Sequence, residues 1–231
     1  MRQFIALSGL PRSGSTLLSA ILHQNPDIYA EGNSAVCQLM WDMQQSCETT
    51  SKEQLDANYR YDTAYQLVKA IPDIYYRNTT RPIVVDKCRS WTLSPNQDLL
   101  RRYVTDTPKT IVLTRPTDEI LNSFESLHKL NNKPFDANEY LREDSEPLMR
   151  SLRGVEWAKQ VNQGEFLFID YAELVADTNE VLDKIYSFID AKRFEHDLEN
   201  IENTLPENDA VYGLLGMHDV RKTIKLRTEV I

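Results

Sequence analysis

The sequence has few of the residues that cross-link extracellular proteins or bind metals. It contains three cysteines and four histidines in 231 residues. Cys37, Cys47 and Cys88 form no C-x-x-C pair and accompany no cluster of histidines, so we expect reduced thiols, a reducing compartment and no metal site. No run approaches the roughly 18 apolar residues of a membrane-spanning helix, and the N-terminal apolar run is too short for a signal peptide. The sequence therefore predicts a cytoplasmic protein with no membrane span.

Positive charge is also in short supply. The chain has 26 lysine and arginine residues against 35 aspartate and glutamate residues, which gives a formal net charge of −9. General binders of nucleic acids and of anionic membranes carry a basic excess, so we expect neither kind of partner. Hydrophobic residues make up 41% of the chain, enough for one sizeable core. The length then favours a single domain over residues 1–231.

Short apolar runs alternate with segments of helical periodicity along the chain. We predict five strands, at residues 3–7, 27–30, 82–86, 110–114 and 165–170. Apolar residues at helical spacing predict helices at 14–23, 34–47, 54–77, 94–103, 117–130 and 178–190, and in the second half of 136–162. Strands that alternate with helices form βαβ units. The predicted fold is therefore α/β, with a central parallel sheet of about five strands flanked by helices on both sides.

The most informative segment is SGLPRSGST at residues 8–16, between the first predicted strand and the first predicted helix. In such a loop, backbone N–H groups and the positive end of a helix dipole point at one spot. Gly9 and Gly14 permit a tight turn, and Arg12 adds a cation. The spacing is that of the G-x-x-x-x-G-K-[ST] phosphate loop, but Ser15 replaces the lysine that grips a triphosphate. We therefore predict an oxyanion site and argue against ordinary hydrolysis of ATP or GTP.

A second motif follows the strand predicted at residues 110–114. The strand ends in Arg115, and Ser123 lies eight residues further on, in a predicted helix. Open α/β sheets bind ligands at the carboxyl ends of their strands, and an arginine that converges with a hydroxyl suits a phosphate dianion. We therefore expect Arg115 and Ser123 to bind a second phosphate.

These segments resemble those of a known family. PRSGSTLL at residues 11–18 looks like the 5′-phosphosulfate loop of the sulfotransferases, especially the branch of tyrosylprotein sulfotransferases and their bacterial relatives. Arg115 and Ser123 are similar to the family's 3′-phosphate element, although the aspartate between its arginine and proline is missing here. The resemblance implies a P-loop-like fold and the co-substrate 3′-phosphoadenosine 5′-phosphosulfate (PAPS), without a metal. The implied donor-binding residues are Pro11, Arg12, Ser13, Gly14, Ser15, Thr16, Arg115 and Ser123.

Sulfuryl transfer needs groups that stabilise negative charge on the transferring oxygens. We choose Arg12, the loop amides and Lys87 for this role. Lys87 follows the strand at 82–86 and is similar to the strand-end lysine of the tyrosylprotein sulfotransferases. The chosen catalytic cations are therefore Arg12 and Lys87.

The reaction also needs a base for the acceptor's proton. In the tyrosylprotein branch a glutamate follows the second strand, but an ungapped alignment puts Asn33 at that position. Glu31, two residues earlier, is our candidate base. His128 and His218 are the alternatives, since other sulfotransferases use a histidine.

Two further hypotheses stay open on sequence grounds. A P-loop kinase would share the fold, although the missing lysine argues against it. A catalytically silent nucleotide-binding module is the other, because Asn33 replaces the family's glutamate. The acceptor hydroxyl or amine is equally open: a small molecule, a carbohydrate and a peptide tyrosine all fit, and residues 131–150 are a candidate lid.

Overall fold

A computed structural model describes residues 2–161 and 163–224 of the chain. Its sheet has five strands, β1 (Gln3–Gly9), β2 (Ile28–Ala30), β3 (Ile83–Lys87), β4 (Thr110–Thr114) and β5 (Phe166–Asp170). The strand order is β2-β3-β1-β4-β5, and every neighbouring pair is parallel. All five predicted strands are confirmed, with ends that lie within two residues of the prediction.

Helices connect the strands and cover both faces of the sheet. Within the two described ranges the α-helices are α1 (Ser15–His23), α2 (Val36–Glu48), α3 (Lys52–Ala57), α4 (Thr63–Tyr75), α5 (Ser94–Tyr103), α6 (Thr117–Leu130), α7 (Ala137–Leu141), α8 (Met149–Gln160), α9 (Tyr171–Ala176) and α10 (Thr178–Ile189). Alternate residues of β1 enter opposite cores, because successive side chains of a strand point to opposite faces. Ile5 and Leu7 pack with α1 and α10, whereas Ala6 packs with α2 and α5. The predicted α/β class with helices on both sides is therefore confirmed.

One predicted helix is interrupted, and one further short helix within 136–162 was not predicted. The single helix expected at 54–77 is two helices, α3 and α4, because Tyr59 adopts a left-handed φ of 55°, a conformation that ends a helix. Within 136–162, helix occupies α7 and, as predicted for the second half, α8. The spacing of apolar residues alone did not locate the break at Tyr59.

The parallel register brings three functional strand ends to one edge of the sheet. Leu7 of β1 lies beside Lys87 of β3, and Gly9 lies beside Leu113 of β4. Gly9 has a φ of 128°, and a Cβ at this position would stand 2.1 Å from the carbonyl oxygen of Leu113. Only glycine allows the backbone at the end of β1 to lie this close to the backbone of β4. This close approach fixes where the loop after β1 begins.

Changing Gly9 to alanine is therefore expected to lower the free energy of unfolding by at least about 3 kcal/mol, the sum of a backbone clash and a disfavoured φ. Gly213→Ala is the matched control. Gly213 also has a positive φ, of 70°, but its added Cβ would meet only the mobile end of Lys133, at 3.2 Å. We expect this control to lose roughly 1–2 kcal/mol. Urea unfolding measures both changes, and equal losses would contradict the role of the β1–β4 clash.

Candidate active site

The loop between β1 and α1 is shaped to receive an anion. Arg12 and Gly14 adopt left-handed φ values of 60° and 88°, and the Ser13 hydroxyl donates to the Leu10 carbonyl at 2.6 Å. Gly14 is the N-cap of α1, and no side chain caps this helix end. The first N–H groups of α1 therefore lack the usual side-chain acceptor, and an oxyanion can take its place.

Arg12 joins the two motifs that the sequence singles out. Its Nε donates to the Ser123 hydroxyl at 3.0 Å, and its guanidinium also donates to the Met217 carbonyl. Burial, followed by repulsion from Arg115, lowers the pKa of Arg12. A guanidinium stays protonated despite such a shift, so Arg12 remains a fixed cation between the loop and α6.

Arg115 lies against the same loop from the end of β4. Its guanidinium donates to the Arg12 carbonyl at 2.9 Å and pairs with Glu119 at 3.0 Å. The guanidinium also stands over the ring of Tyr171, 4.4 Å from the centroid. These contacts hold Arg115 in one orientation beside the loop.

Around these arginines lies a cleft of about 500 Å³, which we call the anion cleft. Its wall contains Pro11, Arg12 and residues 14–17, then Lys87, Arg89, Arg115, Glu119, Asn122, Ser123, Phe124, Ser126, Tyr171 and residues 217–221. Every donor-binding residue named from the sequence lines it except Ser13. Ser13 is fully buried, and its hydroxyl holds the shape of the loop instead.

Lys87 is the last residue of β3, and it lines the anion cleft. It is 6% exposed. Burial, followed by repulsion from Arg89, lowers the pKa of Lys87 to about 8, and Glu207 acts in the opposite direction. Among residues 2–161 and 163–224, no group makes a hydrogen bond or ion pair with its amine. Such a lysine is available to an anion that enters the cleft.

Glu31 lies outside the anion cleft, in a cluster with tyrosines. Its carboxylate accepts hydrogen bonds from Tyr29 at 3.2 Å and from Tyr76 at 3.3 Å. Burial raises the pKa of Glu31, although the hydrogen bond from Tyr29 opposes the rise. The neighbouring Asp86 is fully buried and accepts from Tyr76 and from Trp91, both at 2.6 Å. The loop that carries Glu31 touches the cleft one residue later, at Gly32, which lies beside Thr16.

The two alternative histidines occupy different places. His128 contacts the Pro134 carbonyl at 2.6 Å and the Tyr140 hydroxyl at 2.8 Å, away from the anion cleft. His218 lines the cleft. Its Nδ1 lies 2.5 Å from Asp209, and its Nε2 lies 3.2 Å from Glu207. The structure therefore brings one of the two histidines to the predicted site.

Part of the cleft wall was not assigned from the sequence. Residues 217–221 line it, and the sequence singled out only His218 among them, preceded by a pair of glycines, Gly213 and Gly216, among apolar residues. Glu207 and Asp209, which reach His218, stand in a polar stretch with no recognisable motif. The candidate lid at 131–150 does not line the cleft, but Lys133 donates to the Gly213 carbonyl at 2.6 Å.

The fold and the cleft together define an α/β protein that presents an anion loop at the carboxyl edge of a parallel sheet. Comparison with known proteins then gives the family. The model of the sulfotransferase family matches residues 5–196, so the chain belongs to the sulfotransferase family. The resemblance seen in the sequence is confirmed. No curated protein matches the chain at a significant level of sequence similarity.

Solved structures share the fold at low sequence identity. The sulfotransferase domain of the Synechococcus PCC 7002 olefin synthase is 23% identical, with a TM-score of 0.62 over 97% of this chain and 85% of that one. The sulfotransferase domain of the curacin biosynthetic pathway is 18% identical, with a TM-score of 0.61 over 98% and 88%. A sulfotransferase from Alicyclobacillus acidocaldarius is 14% identical, with a TM-score of 0.57 over 92% and 89%. These likenesses support the fold.

The described part of the chain lacks two features, a helix able to cross a membrane and a cluster of metal-binding side chains. None of its helices combines the length and apolar character needed to span a membrane. The same part holds no group of three or more histidine, cysteine, aspartate or glutamate side chains arranged to bind a metal ion.

Proposed function

We propose that this protein transfers a sulfuryl group from PAPS to a hydroxyl or amine acceptor on a small molecule, a carbohydrate or a peptide tyrosine. The observation that carries the proposal is the convergence of Arg12, Arg115 and Ser123 on one cleft beside Lys87. This site would offer separate places to two anionic groups, as a nucleotide with both a 5′-phosphosulfate and a 3′-phosphate requires. The free cysteines agree with a reducing, cytoplasmic setting.

The residues present fit this donor. The uncapped first turn of α1, with Ser15 and Thr16, would hold the 5′-phosphosulfate through N–H and hydroxyl groups. Arg115 and Ser123 would hold the 3′-phosphate, with Arg115 giving up its exposed ion pair to Glu119. Loss of that pair costs little, since exposed pairs contribute only about 0–1 kcal/mol.

The sulfuryl transfer step then requires cations and a base. Arg12 and Lys87 would stabilise the charge that develops on the sulfuryl and leaving oxygens, in a site where fixed charges act strongly. Below its pKa of about 8, Lys87 carries its positive charge at neutral pH. Glu31 is the base that the sequence predicts, and burial raises its pKa, which makes this carboxylate a stronger proton acceptor.

A P-loop kinase is the less favoured reading. Ser15 stands where kinases of this loop type place a lysine, and Lys87 approaches from β3 instead. The cation arrangement favours a donor with a 3′-phosphate over a triphosphate.

Calorimetric titration tests the proposal without knowledge of the acceptor. We expect 3′,5′-adenosine diphosphate, the by-product of PAPS, to bind with a Kd in the micromolar range. The same nucleotide without its 3′-phosphate should bind at least about tenfold more weakly, because a hydrogen bond to a charged group contributes about 1.5–3 kcal/mol. Equal affinities would contradict the proposal, and tighter binding of ATP with magnesium would support a kinase.

A further inference from the structure

A smaller pocket of about 200 Å³, which we call the side pocket, adjoins the anion cleft. Its wall includes Asn33, Cys88, Arg89, Glu146 and Arg150, and the proposed donor site uses none of these residues. Arg89 also lines the anion cleft, so the two spaces meet at its side chain. A molecule bound in the side pocket is therefore next to the space that the donor would occupy.

Arg89 brings an unpaired guanidinium to the side pocket. Its carbonyl accepts a hydrogen bond from Ser8 at 2.8 Å, but its guanidinium makes no hydrogen bond or ion pair with any residue of 2–161 and 163–224. The charge of Arg89 acts only at longer range, on Lys87 and on Glu207. A guanidinium presents its donors as a fork that matches a carboxylate, so Arg89 is free to bind one.

Arg150 lines the same pocket from α8, and it already has a partner. Its Nη1 donates to both carboxylate oxygens of Glu146, at 2.8 and 3.0 Å. The charged side chains of the wall are thus two arginines and one glutamate, and the charge of Arg89 is the one that no wall residue within the described ranges neutralises. A single negative charge on a ligand would balance it, whereas a dianion would leave an excess of negative charge.

The two elements that carry these arginines are in direct contact. Arg89 begins a short 3₁₀ turn, Arg89–Thr92, and a Cβ on Gly154 of α8 would stand 2.6 Å from the Thr92 hydroxyl. Asn96 donates to the Ser90 carbonyl at 2.7 Å and so holds the turn from within the chain. Packed elements therefore set the spacing of the pocket wall, and a ligand that binds there has little backbone to order.

We propose that the side pocket binds the acceptor, and that the acceptor is a small hydroxy acid whose carboxylate pairs with Arg89. The inference rests on the proposed function and names its substrate class. The carboxylate binds Arg89, and the hydroxyl end of the acid enters the anion cleft on the side of Lys87. There the hydroxyl oxygen forms a bond to sulfur, and its proton passes to the proposed base, Glu31. The bond from sulfur to the 5′-phosphate oxygen breaks, and the nucleotide leaves with that electron pair.

The size and charge of the side pocket argue against the other acceptors. Pockets for drug-sized ligands measure roughly 300–1,000 Å³, so a pocket of about 200 Å³ is too small for a peptide segment or an oligosaccharide. A neutral alcohol would leave the guanidinium of Arg89 without a partner. A phosphate dianion would exceed the single positive charge of the wall. A monocarboxylate satisfies both the size and the charge.

Matched pairs of acceptors test this preference. The formation of 3′,5′-adenosine diphosphate from PAPS is measured with glycolate, lactate, mandelate and hydroxyphenylacetate, and with the amide of each acid. The amide keeps the hydroxyl group and the shape of the acid and removes only the charge. We expect kcat/KM to be at least about tenfold higher for the acid than for the amide in the best pair, because a hydrogen bond to a charged group is stronger than one to a neutral group.

Arg89→Ala should abolish the preference for the acid. We expect kcat/KM to fall at least about tenfold for the acid and to change by less than about threefold for its amide. Any effect of Arg89 on Lys87 is common to both acceptors and cancels in their ratio. Arg89→Lys keeps the charge and should restore part of the preference. The matched control is Arg153→Ala, at an exposed arginine of α8 that does not line the side pocket, which should leave the ratio unchanged.

Glu146→Gln should change the ratio in the opposite direction. The substitution removes the partner of Arg150 and leaves the pocket wall with two unneutralised positive charges. We expect the preference for the acid over its amide to rise by roughly threefold to fivefold, the scale of an exposed ion pair. A merely structural role of the side pocket would not give this gain, and an unchanged or smaller ratio would contradict the proposed charge balance.

Binding measurements separate failure of this inference from failure of the proposed function. Hydroxyphenylacetate and its amide are titrated by NMR into the wild type, with and without 3′,5′-adenosine diphosphate. A wild type that does not bind the nucleotide contradicts the proposed function. A wild type that binds the nucleotide but binds acid and amide equally, or binds neither, overturns the inference alone. A folded Arg89→Ala variant that still prefers the acid does the same, and thermal unfolding of each variant verifies that it is folded.

Discussion

Replacing Lys87 with methionine is expected to stabilise the folded protein by about 3 kcal/mol at pH 7 and to lower the rate of sulfuryl transfer by about 10²–10³-fold. Lys87 is 6% exposed, and its amine makes no hydrogen bond or ion pair within the described ranges. Methionine keeps most of the apolar stem and removes the buried charge. The protein therefore keeps a destabilising lysine at the place where its proposed reaction needs a cation.

The pH dependence of this stability difference follows from the direction in which the pKa of Lys87 is shifted. Burial lowers the pKa of Lys87 from 10.5 to about 8, so the folded state binds this proton less tightly than the unfolded state. The free-energy cost of burying the charged amine is fully present below pH 8, where the amine is charged in both the folded and the unfolded state. It fades as the pH rises from 8 to 10.5, where the folded state has already lost the proton. The stability advantage of Lys87→Met should fade over the same range.

Urea unfolding between pH 7 and pH 10.5 measures this effect. Lys192→Met is the matched control, because Lys192 is exposed, and we expect it to change neither stability nor rate. A Lys87→Met variant that is less stable than the wild type at pH 7 would show that the amine is satisfied in the folded state. A fully active variant would remove Lys87 from the proposed chemistry.

Arg115→Ala is expected to weaken the binding of 3′,5′-adenosine diphosphate by roughly a hundredfold, equivalent to about 3 kcal/mol. Arg115 is the proposed partner of the 3′-phosphate, and Ser123 alone is neutral. The binding of adenosine 5′-monophosphate, the same nucleotide without its 3′-phosphate, should change by less than about threefold. The variant should thereby lose most of the preference that defines the proposed donor.

The contrast between the two nucleotides is the decisive measurement. Arg115 also donates to the Arg12 carbonyl at 2.9 Å, so its loss could loosen the anion loop as a whole. In that case both nucleotides would weaken in parallel, and the assignment of Arg115 to the 3′-phosphate would be wrong. Arg77→Ala, at an exposed arginine outside the cleft, controls for a general effect of lost positive charge.

The elements that the sequence predicted well depend on local physics. The β-branched runs at 82–86 and 110–114 formed strands because parallel strands are buried on both faces. The anion loop formed between β1 and α1 because glycines, hydroxyls and a helix start follow one another directly in the chain. The broken helix at 54–77 was missed, since the left-handed turn at Tyr59 is not coded by a glycine.

The same distinction between local and long-range physics applies to the candidate site. The sequence by itself determined the loop, the arginines and Lys87 as strand-end cations, because each sits at a fixed offset from a strand. Only the tertiary structure decided that Arg12 meets Ser123 across 111 residues and that Lys87 is buried deeply enough to depress its pKa. It also decided that His218, and not His128, lines the cleft between Asp209 and Glu207. Burial and long-range contact depend on how the chain folds back over the sheet, and no local spacing encodes them.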